Sequence, residues 1–165
     1  MYNPYWTDPP NETAYNKIDG EYGNPPKLFG ALYLTATLAI AAAQARHQHV
    51  GRAINLFDIK PESRPLLASF EVSQTAVVDA VSESGVKALK LPARFPCDVP
   101  RASCQTIAKR AYRAGIAGVA ARSNAEATVK RYAGEELALF DSHQLPPITQ
   151  SGLAFALWYP DPIPD

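Results

Sequence analysis

The sequence predicts an α+β fold, a compact mixed sheet with flanking helices. Three observations lead there. Short apolar runs of strand length recur along the chain, at residues 31–34, 66–72 and 137–140. Between them lie an alanine-rich stretch and an amphipathic stretch, both with helical character. The two kinds of element are mixed without the regular alternation of a doubly wound parallel sheet.

Taken in order, Ala31-Leu32-Tyr33-Leu34 is an apolar run suited to a buried strand. Thr37 then stands as the cap of a helix through Leu38, Ile40, Ala41 and Ala42 to about residue 48. Alanine is the best helix former, and a threonine oxygen accepts hydrogen bonds from a first turn. Gly51 is the expected stop. Leu-Leu-Ala-Ser-Phe-Glu-Val at 66–72 reads as a strand, and 76–81 as a second short one. A helix is predicted over 101–114, with Ser103 in its first turn. Ile107, Ala108, Ala111 and Tyr112 form one face of it, and Gly115 ends it. Residues 115–120 read as a turn into a strand. After an acidic turn at Glu135-Glu136, residues 137–140 form the final core strand.

The 15 prolines are unevenly placed, crowding the first thirty and the last twenty residues. Proline removes a backbone donor and restricts φ, so both ends, about 1–17 and 142–165, are expected to be irregular. No internal repeat or low-complexity linker interrupts the chain, so residues 1–165 are expected to form a single domain.

Lys+Arg and Asp+Glu both number 16, for a net charge of zero, which argues against nucleic acid or an anionic membrane as a partner. No stretch is apolar for the roughly 20 residues a membrane helix needs. The N-terminus lacks the basic start and apolar core of a signal peptide, so a cytoplasmic protein is expected. Cys97 and Cys104 make neither a disulfide framework nor, by themselves, a zinc site, and read as reduced thiols. His47, His49 and His143 have no standard ligand spacing to them, and no metal is expected. Asn11-Glu12-Thr13 is a chance sequon. The phosphate-binding, dinucleotide-binding, zinc-protease and nucleophile-elbow motifs are all absent.

What carries information is a set of segments in order. The first is Gly20-Glu21-Tyr22-Gly23-Asn24-Pro25-Pro26, followed by the Leu32-Tyr33-Leu34 run and the alanine-rich helix. Much later come Cys104 to Ala108 and then the stretch from Ala114 to Ser123. The last runs from Asn124 to Leu137-Ala138-Leu139-Phe140-Asp141. Over roughly residues 18 to 141 this order resembles the RES domain, a family of bacterial toxin–antitoxin toxins related to the ADP-ribosyltransferase fold. The family pattern has a glycine-rich turn with Arg and then Asn-Pro-Pro, a Leu-Tyr-Leu strand and a helix carrying Glu. A Gly-x-x-x-x-Ser stretch and a Leu-x-Leu-Phe strand close it.

The resemblance implies an ADP-ribosyltransferase-like fold and a cleft that takes NAD as substrate. Tyr33, Gln44 and Ser123 are the catalytic positions it implies, and Tyr22, Asn24, Tyr33 and Ser123 the NAD-binding ones. Tyr33 would pack against the cationic nicotinamide ring, a favourable contact for an aromatic face. Ser123 would donate to ribose or phosphate. By composition alone, Tyr33 is a core strand residue and Ser123, beside Asn124, a turn residue.

Two positions depart from the family. Tyr22 stands where the family has arginine, so a bidentate, charged phosphate contact is lost. Gln44 stands where the helix has glutamate, keeping a hydrogen bond but no full negative charge for a ribose cation. Three explanations stay open: a local shift with Glu21, Arg46 or Arg52 filling a role; a branch that transfers ADP-ribose to a protein; or a weak or inactive site. The expected function is an NAD-consuming toxin, by glycosidic cleavage, phosphorolysis or ADP-ribosyl transfer, held by a cognate antitoxin. The alternative is an inactive RES-like module that binds a protein or nucleotide.

Overall fold

The computed structural model describes residues 29–47, 56–73, 75–125, 134–140 and 146–159. Tyr22, Asn24, the proline-rich N-terminal stretch and Gly51 lie outside the described residues.

Strand β1 (Ala31–Thr35) leads into helix α1 (Leu38–His47). The Thr37 side-chain oxygen accepts from the Ile40 amide at 3.3 Å, the cap expected from its position. Two short 3-10 turns, Leu56–Asp58 and Pro61–Ser63, precede β2 (Leu67–Phe70) and β3 (Val77–Ala80). Helix α2 (Glu83–Ala88) has no counterpart in the sequence reading; Ser82 caps it by accepting from the Gly85 amide at 3.0 Å.

Helix α3 (Arg101–Arg113) ends where glycine allows it. Gly115 has a φ of +72°, the Gly115 amide donates to the Tyr112 carbonyl, and the Ile116 amide donates to that of Ala111, both at 3.0 Å. That pair of bonds closes the helix and needs a left-handed residue. The strands β4 (Gly118–Arg122) and β5 (Glu135–Phe140) follow. The final elements are β6 (Ile148–Leu153) and α4 (Phe155–Trp158).

These elements make the expected α+β fold, with strands in two sheets. The larger has the order β1-β5-β4-β3; β1 and β4 flank β5 antiparallel, and β3 runs parallel to β4. The connection from β3 to its parallel neighbour passes through α2 and α3, as a parallel pair requires. One face of this sheet buries Ala31, Ala80, Val119, Ala121, Ala138 and Phe140 against Cys104, Ala108 and Ala111 of α3. Those small helix residues recur at i, i+4 and i+7, so they lie on one stripe. Phe29 closes the cluster, stacked on Tyr112 with centroids 4.7 Å apart.

The smaller sheet pairs β2 with β6 antiparallel. It belongs to a second core, where Phe155 and Trp158 pack with Ala42 and Leu56 and with Phe57 and Tyr159. Two expectations change here. Residues 142–165 are expected to be irregular, yet they contain β6 and α4, because antiparallel pairing with β2 and an aromatic cluster outweigh the nearby prolines. The strand expected to start at 137 starts at Glu135, so the acidic pair is strand rather than turn. No helix among the described residues is long and apolar enough to cross a membrane.

Candidate functional site

The strand register determines which side chains meet. Tyr33 lies opposite Ala138 and Thr35 opposite Glu136, while Ala121 of β4 lies opposite Glu136 on its other side. Side chains alternate along strands and directly paired residues share a face, so Tyr33, Thr35, Ala121, Glu136 and Ala138 all point the same way. It is the face covered by α3. Ser123 lies two residues beyond Ala121, and its amide donates to the Gly134 carbonyl at 2.7 Å, which carries the pairing of β4 with the β5 side one step further.

Helix α1 brings the fourth group. It leaves the end of β1 and crosses close to Gly134: a Cβ there would lie 2.5 Å from Ile40 Cγ1. That approach sets Gln44, one turn beyond Ile40, over the polar end of the sheet. Gln44 Nε2 donates to Glu136 Oε2 at 2.7 Å and to Ser123 Oγ at 3.2 Å. Ser123 Oγ also accepts from the Ala125 amide at 3.3 Å.

Ser123 is 0% exposed and Glu136 6%, whereas Tyr33 and Gln44 are half-buried. Among the described residues Glu136 Oε1 is buried and has no hydrogen-bond partner. Burial pushes the Glu136 carboxyl up to about 8, against the smaller opposite pull of the Gln44 hydrogen bond. Burial, followed by the charge of Glu136, pushes the Cys104 thiol up to about 12, which makes it an inert core group. Cys97 is half-buried and likewise free.

Of the positions singled out in the sequence, Gln44 and Ser123 are therefore joined at one end of the sheet, and Tyr33 lies on the same face one pair further in. The other two, Tyr22 and Asn24, lie outside the described residues. Tyr33 also packs against the edge of the larger core, so its strand role and its site position coexist. Arg46, considered as a substitute cation, is exposed on α1 with its guanidinium 5.9 Å from the Tyr159 ring. Sequence reading missed Glu136. A signal existed: carried back from Phe140 and Ala138, strand alternation puts 136 on the same inward face.

The arrangement sets polar groups beside an aromatic ring. It combines one aromatic ring, one primary amide and one carboxyl that is largely neutral near pH 7. Among the described residues no three His, Cys, Asp or Glu side chains gather in a way that could hold a metal ion.

The family model described as the RES domain matches residues 12–153. No curated protein matches the chain. Among solved structures, a chain of the M. tuberculosis MbcT–MbcA toxin–antitoxin complex is similar, with a TM-score of 0.63 at 20% identity. The match covers 88% of this chain and 83% of that one.

Proposed function

The chain belongs to the RES domain family, and from that premise we propose that it is the toxin of a bacterial toxin–antitoxin pair that consumes NAD. The observation that supports this most is the meeting of Gln44 and Ser123 at one end of the larger sheet, with Tyr33 on the same face one pair further in. Gln44 and Ser123 are 79 residues apart in sequence and share one hydrogen bond. The similar M. tuberculosis chain comes from a toxin–antitoxin complex, which supports a cognate antitoxin as partner here; the place of action in this reading is the cytoplasm.

In this reading Tyr33 offers its ring to the nicotinamide, a cation against a π face. Gln44 stands beside the ribose, and Ser123 holds Gln44 from behind. Tyr22 and Asn24 complete the NAD site from the glycine-rich turn. The bond broken is the one between nicotinamide and ribose, and the ADP-ribose is passed to water, phosphate or a protein side chain. No metal takes part.

Incubating the pure chain, freed of antitoxin, with NAD and analysing small molecules and protein by mass spectrometry tests the reading. Release of nicotinamide is expected, and the form of the ADP-ribose product identifies the acceptor. A second reading is an inactive RES-like module that binds a protein or nucleotide. It is favoured by the Gln44 amide, both of whose N–H groups are bonded within the protein and which carries no charge. NAD binding without nicotinamide release, with phosphate or cell extract present or absent, would establish that second reading.

A further inference from the structure

Gln44 is the half-buried polar group of the cluster, and its hydrogen bonds leave little freedom. A primary amide has two N–H donors and one carbonyl acceptor. One N–H goes to Glu136 Oε2 at 2.7 Å and the other to Ser123 Oγ at 3.2 Å. Both acceptors lie behind Gln44, buried in the protein. Among the described residues, what the side chain has left is its carbonyl oxygen, Oε1. An amide held in this sense can meet a ligand hydroxyl or N–H, and it repels a phosphate oxygen.

The orientation is not one Gln44 would keep unaided. Asparagine and glutamine amides turn over readily, and the reversed form would set the Gln44 oxygen against Glu136, which repels it once the carboxyl is ionised, above about pH 8. Glu136 is tied into place by its register between Thr35 and Ala121. Its second oxygen has no partner among the described residues, although a buried acid oxygen without one is costly. The side chain therefore does not earn its place by stability, which points to a task at the site.

We propose that Glu136 is a positioning residue: with Ser123 it holds the Gln44 amide so that Oε1 is the acceptor presented to a sugar hydroxyl of the ligand. This rests on the NAD reading above and deepens it. Gln44 then contacts the ribose rather than the phosphates, and it does so as an acceptor, without a charge of its own.

The test uses the full chain and four proteins: wild type, Glu136→Gln, Gln44→Glu and the exchange Q44E/E136Q. Affinities for NAD and ADP-ribose are measured by calorimetry at pH 9, above the Glu136 value of about 8, with thermal melts alongside. Glu136→Gln lets the two amides pair in either sense, so both affinities are expected to fall about tenfold, the effect of one lost hydrogen bond, with no loss of thermal stability. Gln44→Glu alone sets two carboxyl groups together and should bind no better. The exchange restores one donor facing one acceptor and is expected to return both affinities to within about threefold of wild type, on the same scale.

Unchanged binding by Glu136→Gln, or an exchange no better than its weaker parent, would overturn the positioning role while leaving the NAD reading intact. A loss seen with NAD and not with ADP-ribose would move the contact to the nicotinamide carboxamide and overturn the sugar assignment. Wild type that binds neither ligand would sink the NAD reading, and this inference with it.

Discussion

Asp79 and Glu136 sit on strands of the same sheet and show how differently one fold treats two carboxyl groups. Asp79, at the exposed end of β3, is surrounded by donors. Its Oδ1 accepts from the Val81 amide at 2.8 Å and the Ser82 amide at 3.0 Å, and its Oδ2 accepts from the Ser82 hydroxyl. Those bonds, the Ser82 hydroxyl first, hold it below the usual carboxylate range. Glu136 on β5 is buried, has Gln44 as its single donor among the described residues and is pushed up to about 8. Asp79 braces the turn into α2, where Ser82 also caps the helix. Glu136 braces nothing in the backbone. The difference separates a carboxylate bonded into a turn from one buried against a side-chain amide.

The contrast predicts opposite responses to pH, and the Glu136 effect should be the largest. Its folded value of about 8 exceeds the ordinary 4.5, so the native state keeps a proton that the unfolded chain releases. The stability from Glu136 is full below about pH 4.5 and is lost as pH rises towards 8, at up to roughly 1.4 kcal/mol per pH unit. Urea denaturation at pH 5 and pH 8 should show wild type losing a few kcal/mol that Glu136→Gln does not lose. Equal slopes for the two proteins would erase the contrast.

Next in size is removal of the one donor. Gln44→Leu leaves Glu136 without any of its observed partners and Ser123 with one fewer, at an expected cost of about 1–3 kcal/mol at pH 7. The same denaturation curves measure it, and a cost under about 0.5 kcal/mol would show that the pair is not coupled to folding.

The smallest effect belongs to Asp79. Asp79→Ala should cost about 1 kcal/mol at pH 7, in the range of lost turn and cap bonds. Because the folded value of Asp79 is depressed, its contribution is present above the ordinary aspartate range and is lost as pH falls through the folded value. Thermal melts of wild type and variant should therefore converge in acid, where those of Glu136→Gln and wild type also meet. A gap that persists in acid would mean that Asp79 acts through something other than its charge.

Much of the framework was legible before the structure. The Thr37 cap, the face of α3, its glycine stop and the strands at 31–35, 67–70, 77–80 and 118–122 all follow from local rules. The elements that escaped are the ones whose stability is not local. Helix α2 is short and carries a glycine, and it depends on the Asp79–Ser82 bonds. Strand β6 is held by pairing with β2, some eighty residues earlier, and α4 by an aromatic cluster.

For the site, the sequence by itself determined that Tyr33, Gln44 and Ser123 deserved notice, through the order of segments that marks the family. It also raised the expectation that Gln44 stands where the family has glutamate, without that charge. Only the tertiary structure decided that Ser123 stands behind Gln44, and that the carboxyl in reach is Glu136. The reason is physical: strand register and the crossing of α1 bring together groups that are 79 and 92 residues apart. No local pattern encodes a contact of that range, and burial, which alone lifts the Glu136 carboxyl, exists only once the sheet is covered.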